Sequence, residues 1–382
     1  MNFELSEEQQ AIRKAIRELV AKEVAPQARE RDHSGEFPSQ VINVLGTQGY
    51  MGMMLPEEYG GIEADHISHT VCVEELSRGC SSTGVIFEVH NSLVAETILH
   101  HGSEEIKERY LPKMTGEWLG AFALTEPGAG SDAGGVTSTA VLDGDEYILN
   151  GRKCFITNAG EAQLYLVIAS TDLSQKSRGL SAFLVEATYP GFSIGVLEDK
   201  MGIRASATAD LILEDCRVPK GNLLGKEGDG FKIALGALDA GRIGIAAQAV
   251  GIAQAAMEKA GAYALQRQQF GKPIAEQQAI QWMLADMATD IEAARLLTYR
   301  AAYLRGSGKR CSQEVAMAKL FASTMAMKHT VSAVQILGGY GYMKEYDVER
   351  YMRDAKITEI YEGTSEVMRL VIAGSLLKQL GD

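Results

Sequence analysis

The chain carries 382 residues, with 37 Lys and Arg against 50 Asp and Glu for a net charge of −13, and it is 46% hydrophobic and 23% charged. This composition excludes a disordered chain, allows two or three domains with a sizeable core, and opposes general attraction to nucleic acid or anionic lipid. Five cysteines, Cys72, Cys80, Cys154, Cys216 and Cys311, show no C-x-x-C spacing. They read as reduced core residues, neither a disulfide framework nor a zinc site.

The acidic start MNFELSEEQQ has none of the basic and apolar character of a targeting segment. No stretch approaches the ~18 uninterrupted apolar residues of a membrane span. The expectation is a soluble, cytoplasmic protein with no membrane association. Ser6 and Gln9 form the capping box of a first helix, which buries Ile12, Ile16, Leu19 and Val24 on one face and ends at Pro26. Further helical runs reach about Trp118, with loop chemistry at Pro56–Gly61.

The period then changes. Asp143-Gly144 and Asn150-Gly151 both read as type I′ hairpin turns beside the runs Tyr147–Leu149 and Cys154–Ile156. Residues 165–169, 180–185 and 211–213 add β-rich segments. After Phe231 the chain turns to Ala, Leu, Met, Gln and Lys, and no proline follows Pro273. Ile280, Leu284, Met287 and Ile291 recur at helical spacing, with breaks at Gly271–Pro273, Gly306–Gly308 and Gly338-Gly339. Helices, then strands, then helices give an α+β chain, not an alternating one.

No dinucleotide-binding glycine motif, phosphate loop, H-E-x-x-H or nucleophile elbow is present. The pairs His66/His69 and His100/His101 read as solvated helix or loop histidines, with no metal site. Three glycine-rich segments remain. Leu124–Asp132, LTEPGAGSD, is either a tight loop or a place where backbone N–H groups approach a ligand. Gln335–Tyr342, QILGGYGY, interrupts a helix, as a turn or a backbone contact. Ile360–Glu366, IYEGTSE, sets Glu362 between an aromatic and a glycine. A carboxylate in such apolar company has a raised pKa and suits a base; the alternative is a capping acid beside Asp354, Glu359 and Glu366.

Together with ITNAG at 156–160, DAGRIGIAAQAVGIAQ at 239–254, RQQFGKPI at 267–274 and MRDAKITEIYEGTSE at 352–366, these segments resemble the acyl-CoA dehydrogenase family in order and spacing along the whole chain. The likeness is strongest to the short-chain, butyryl-CoA branch. It implies an N-terminal helical domain over residues 1–120, a middle antiparallel β-barrel-like domain over 121–228, and a C-terminal four-helix bundle over 229–382. It also implies a homotetramer, a dimer of dimers. The implied cofactor is FAD. Phe122, Leu124, Thr125, Gly130 and Ser131 would lie along the flavin, with Phe155, Ile156 and Thr157 near its N5. A neighbouring subunit would supply Arg267, Phe270, Gln278, Gln335, Ile336, Leu337, Gly338 and Gly339, and Thr364, Ser365 and Glu366 complete the contacts.

For the acyl-CoA substrate the resemblance implies Ser131, Asp239, Arg242, Tyr361 and Gly363, with Arg242 facing a nucleotide phosphate. Glu362 would remove the α-proton while the β-hydride goes to the flavin, yielding a trans-2-enoyl-CoA and passing electrons to an electron-transferring flavoprotein. Gly241 occupies the position where the isovaleryl and long-chain branches carry their base, which disfavours those branches. No arginine lies between Arg78 and Arg109, which opposes a dicarboxylic substrate. The segment Phe87-Glu88-Val89-His90 departs from the branch pattern. Glu88 and His90 would either turn to solvent or approach the acyl pocket, with Phe87 shortening it and Glu88 restricting or reshaping it. Alternatives are an enoyl-CoA reductase in an electron-bifurcating complex, a dehydrogenase of branched or cyclic acyl-CoA, and a non-catalytic flavin-binding regulator, which the complete base motif opposes.

Overall fold

The computed structural model describes residues 4–381, so the first three residues of the acidic N-terminal segment lie outside the described residues. Seven helices come first: α1 Glu7–Leu19, α2 Ala28–Ser34, α3 Ser39–Thr47, α4 His66–Gly79, α5 Ser81–Glu88, α6 Glu96–His101 and α7 Glu104–Met114. The capping box forms as expected: the Gln9 amide donates to Ser6 Oγ at 3.2 Å and the Ser6 amide to Gln9 Oε1 at 2.9 Å. Pro26 does not end the helical path. A π-turn at Val20–Val24 and a 3₁₀ turn at Ala25–Gln27 carry it into α2, because proline at the start of a 3₁₀ turn gives up no needed N–H. A second π-helical segment, Val89–Ala95, joins α5 to α6, so 81–101 is one continuous, almost wholly buried rod.

The strands are β1 Gly120–Ala123, β2 Thr139–Asp143, β3 Glu146–Thr157, β4 Leu164–Ser170, β5 Leu180–Glu186, β6 Phe192–Leu197, β7 Thr208–Pro219 and β8 Leu223–Leu224. They make one sheet ordered β6-β7-β3-β2-β4-β5-β8, with β1 beside β4. The sheet is mixed and not wholly antiparallel, since β1 and β2 both meet β4 in parallel. Asp143-Gly144 does open the β2–β3 hairpin. Asn150-Gly151 does not turn: it lies inside β3, where a bulge against β7 takes up the glycine. Two locally similar dipeptides thus have different fates, because β7 pairs along nearly all of β3.

The C-terminal part holds α8 Gly230–Gln266, a small hairpin of β9 Gln268–Gln269 and β10 Lys272–Pro273, then α9 Gln278–Gly306, α10 Ser312–Leu337, α11 Val348–Ile357 and α12 Ser365–Gly381. The breaks fall at the glycines foreseen. Helix α8 is long and apolar enough to cross a membrane, but most of it is buried between α4, α9 and α10. A helix apolar on all sides belongs in a core. Its glycines cost about 1 kcal/mol each in helix propensity. At Gly251 the cost is offset by close approach, since a Cβ there would overlap Glu74 O of α4. The five cysteines are free and buried, as expected.

Candidate active site

The centre of the site is one face of α8. A Cβ at Gly241 would overlap Glu362 Oε2 and come within 2.7 Å of Leu93 Cδ2, and a Cβ at Gly244 would overlap Glu88 Cγ. Two glycines three residues apart therefore seat two carboxyl side chains side by side. Glu362 Oε2 and Glu88 Oε2 are both inaccessible, and neither has a hydrogen-bond partner. Burial raises the Glu362 carboxyl from 4.5 to about 7, against the downward pull of Arg242 and Lys319. Burial, and then the neighbouring Glu362 charge, push Glu88 well above the usual carboxylate range.

The segment carrying Glu362 is held by its backbone. Glu362 has φ +53°, a conformation a non-glycine residue keeps only when its surroundings over-determine it. Arg242 Nε donates to Glu362 O at 2.7 Å and Lys319 Nζ to Gly363 O at 2.6 Å. The Tyr361 hydroxyl donates to Gln248 Oε1, whose amide reaches Ser81 O at 3.1 Å. The Glu362 N–H donates to no group among the described residues.

The loop after β1 is pinned from below by a buried ion pair, Lys153 Nζ to Glu126 Oε1 at 2.7 Å. Lys153 also donates to Leu124 O at 3.1 Å, and Glu126 accepts from the Thr137 and Ser138 amides. Burial alone would raise Glu126, but the Lys153 charge and these donors hold it at about 2. Burial pulls Lys153 down to about 8 despite Glu126. The pair is thus charged at neutral pH and first loses its proton on the alkaline side. With this anchor the outer face of the loop stays open: a Cβ at Gly128 or Gly130 would meet nothing within 4 Å. Beside it a bulge in β3 gives Phe155 φ +58° and leaves the ring 65% exposed. Phe122, Leu124, Leu93 and Tyr361 share one apolar cluster, which joins this loop to the Glu362 segment.

Models of the acyl-CoA dehydrogenase N-terminal, middle and C-terminal domains match residues 6–117, 121–216 and 228–377. The chain belongs to the acyl-CoA dehydrogenase family. It is 50% identical to a short-chain specific acyl-CoA dehydrogenase of Clostridium acetobutylicum over 99% of this chain and 100% of that one. It is 52% identical to the mitochondrial short-chain specific enzyme of Bos taurus, covering 99% and 92%. Butyryl-CoA dehydrogenase of Megasphaera elsdenii superposes with a TM-score of 0.97 at 47% identity, covering 99% and 100%. The expectation of an FAD-dependent acyl-CoA dehydrogenase with this three-part fold stands.

The residues present fit FAD. The open glycine face at 128–130, the exposed Phe155 ring and the buried, partnerless Ser365 Oγ offer backbone N–H groups, an aromatic surface and a hydroxyl to a flavin nucleotide. Thr125 and Phe155 are brought together, because the Cys154 amide donates to Thr125 O at 2.9 Å. Gly130, Ser131 and Glu366 are exposed, and Thr157 and Thr364 half-buried. Leu124, Ile156, Ile336 and Leu337 are buried in apolar clusters, so their side chains are committed to the core. Arg267, Phe270, Gln278, Gln335, Gly338 and Gly339 are all exposed, with Arg267 over the Tyr340 ring at 5.6 Å. Phe270 is 94% exposed with φ +54°, a strained and outward-facing aromatic.

Several expectations change. Arg242 is buried and committed to Glu362 O and to Asp239 at 2.9 Å, and Asp239 also accepts the Ser312 hydroxyl. It holds the base segment and does not offer itself to a phosphate. Gly363 has φ +108°, and a Cβ there would come within 2.6 Å of Met368 Cε. Phe87 does not shorten the acyl pocket: it stacks on His69 in the core, with ring centroids 5.2 Å apart. Glu88 and His90 do not turn to solvent. His90 is a buried bridge between Met51 O, Met114 O and the Gly120 amide. His69 is buried as well, not solvated. Lys153, Lys319 and Glu126 escaped the sequence reading; a lysine inside the apolar run of β3 was the only signal. Gly241→Ala would ordinarily strengthen a helix, but here the overlap with Glu362 Oε2 outweighs that. The expected result is a stable protein with at least about a tenfold lower turnover, measured beside its thermal unfolding.

Proposed function

We propose that this acyl-CoA dehydrogenase oxidises short-chain, butyryl-like acyl-CoA to the trans-2-enoyl-CoA with Glu362 as the base, and passes the electrons to an electron-transferring flavoprotein. The observation that carries the reading is the Glu362 carboxyl: half-buried, with its Oε2 shielded from solvent, unpartnered and seated on Gly241, and the group raised to about 7. A base of that pKa takes a proton near neutral pH and can release it again. Its own free N–H is available to the thioester oxygen, where negative charge develops as the α-proton leaves. Arg242 and Lys319 fix the two carbonyls on either side of the Glu362–Gly363 bond, so carboxyl and amide keep one relative orientation. FAD, when bound, supplies the oxidant for the β carbon.

Short chain length is supported by the relatives' names and accords with Glu88, packed against Gly244 one turn along α8 from the Gly241 that seats the base. No arginine lies on α5 or on the π-helical segment after it to pair with a second carboxylate on the substrate. Assembly as a homotetramer, a dimer of dimers, accords with the strained, exposed Phe270 and its neighbours, which suit a second subunit's cofactor. The reverse reaction, enoyl-CoA reduction in a bifurcating complex, is the second reading. A chain at TM-score 0.98 and 53% identity comes from work on the electron transferring flavoprotein of Acidaminococcus fermentans and flavin-based electron bifurcation. Anaerobic titration of the yellow holoenzyme tests the main reading. Butyryl-CoA should bleach the flavin fully, hexanoyl-CoA less and octanoyl- or glutaryl-CoA little; a preference for octanoyl- or glutaryl-CoA would overturn it.

A further inference from the structure

Each turnover leaves one proton on Glu362, whose Oε2 faces α8 at Gly241 out of solvent's reach, while the rest of this half-buried residue lies toward the open side of the site. The polar groups continue on the far side of Glu88. The Ser92 hydroxyl meets Glu88 Oε1 and also donates to Glu88 O at 2.9 Å, while Glu88 Oε2 is buried without a partner. Ser92, with His66, His69, Thr70, Glu96 and Arg305, lines a cavity of about 10 Å³. That is the space of one water molecule. Two inaccessible atoms of its lining residues, His69 Nε2 and Glu96 Oε2, have no partner in the protein. Such atoms, with the Ser92 hydroxyl, provide the two to four polar contacts that hold a buried water. Glu96 Oε1 lies 3.2 Å from His66 Nε2, and the His66 side chain is 27% exposed.

We propose that Glu88, Ser92, one water in this cavity and His66 form a proton path from Glu362 to the surface. The proposal rests on Glu362 being the base. Glu88 rests as the neutral acid with its proton on Oε1, shared with Ser92 Oγ. As Glu362 gives one proton to Glu88 Oε2, Oε1 gives its own to Ser92 Oγ, Ser92 turns its hydroxyl proton from Glu88 O to the water, and His66 takes one from the water and yields it to solvent. One proton leaves per turnover, no electron moves, and only O–H and N–H bonds are made or broken. Burial holds His69 down to about 3, so it stays neutral and orients the water. Burial would raise Glu96, but His100, His66 and Arg305 outweigh it and keep it ionised as the partner of His66.

Stopped-flow mixing of FAD-loaded enzyme with butyryl-CoA, in weak buffer with a pH-indicator dye, follows flavin bleaching and proton release together. In the native enzyme the two coincide. Glu88→Gln keeps the size of the side chain but cannot accept the proton, and Ser92→Ala removes the relay. In each, proton release should lag at least tenfold behind that variant's own bleaching. A general structural disturbance slows both signals and opens no lag. Coincident signals in both variants would overturn the path, and should Glu88→Gln not fold, Ser92→Ala decides alone. The base assignment fails separately, through a Glu362→Gln enzyme that still bleaches.

Discussion

Glu362→Gln is expected to slow bleaching of the holoenzyme by butyryl-CoA by roughly 10²–10⁴-fold, the range a positioned general base contributes. Glutamine keeps the shape that Gly241 accommodates, and the clamps from Arg242 and Lys319 grip backbone carbonyls, so folding and thioester binding should survive. Retained yellow colour and butyryl-CoA affinity with lost bleaching is the expected pattern; full bleaching would remove Glu362 from its role. The native enzyme should lose kcat/KM as pH falls through about 7, where the carboxylate takes up its proton. Stability has the opposite sense. The folded pKa is raised from 4.5, so the native state binds the extra proton between those values and loses that stabilisation as pH rises through about 7. The variant's unfolding temperature should therefore gain on the native one between pH 5 and pH 8.

Lys153→Met should destabilise the protein by about 3–5 kcal/mol, because it leaves the Glu126 carboxylate buried without its counter-charge. Both side chains are almost fully buried, so solvent cannot replace the partner. The same change frees Leu124 O and unpins the loop that faces the flavin, so the protein should purify paler and release FAD more readily. Adding Glu126→Gln removes the stranded charge and keeps an acceptor for one of the Thr137 and Ser138 amides, which bond to different carboxylate oxygens, and should recover part of the stability. Calorimetry with the flavin-to-protein absorbance ratio checks both effects; an unchanged unfolding temperature in Lys153→Met would count against the pair's role. In the native protein the contribution of Glu126 is present above 4.5 and is lost as pH falls toward about 2.

The catalytic segment was legible because its signal is local: an acid between an aromatic and a glycine within a longer recognisable run. The Ser6 cap, the helix breaks at Gly306 and Gly338 and the division into helices, strands and helices were legible for the same reason. Glu88 was not. Along 81–101 nearly every residue is buried whatever its polarity, and a π-helical turn alters the periodicity, so no pattern tells which side meets the site. Arg242 looked like an anion partner, but its Nε–H donates to Glu362 O, 120 residues away.

The order of residues by itself determined the element types, their sequence and the chemistry placed at Glu362, since caps, turns and periodicity act over a few residues. Only the tertiary structure decided that Asn150-Gly151 is a bulge, that Phe87 belongs to the core, and that Glu88 stands beside the base above two glycines of α8. Those outcomes depend on strands and helices far apart in the chain, whose close packing selects among conformations that are locally equivalent.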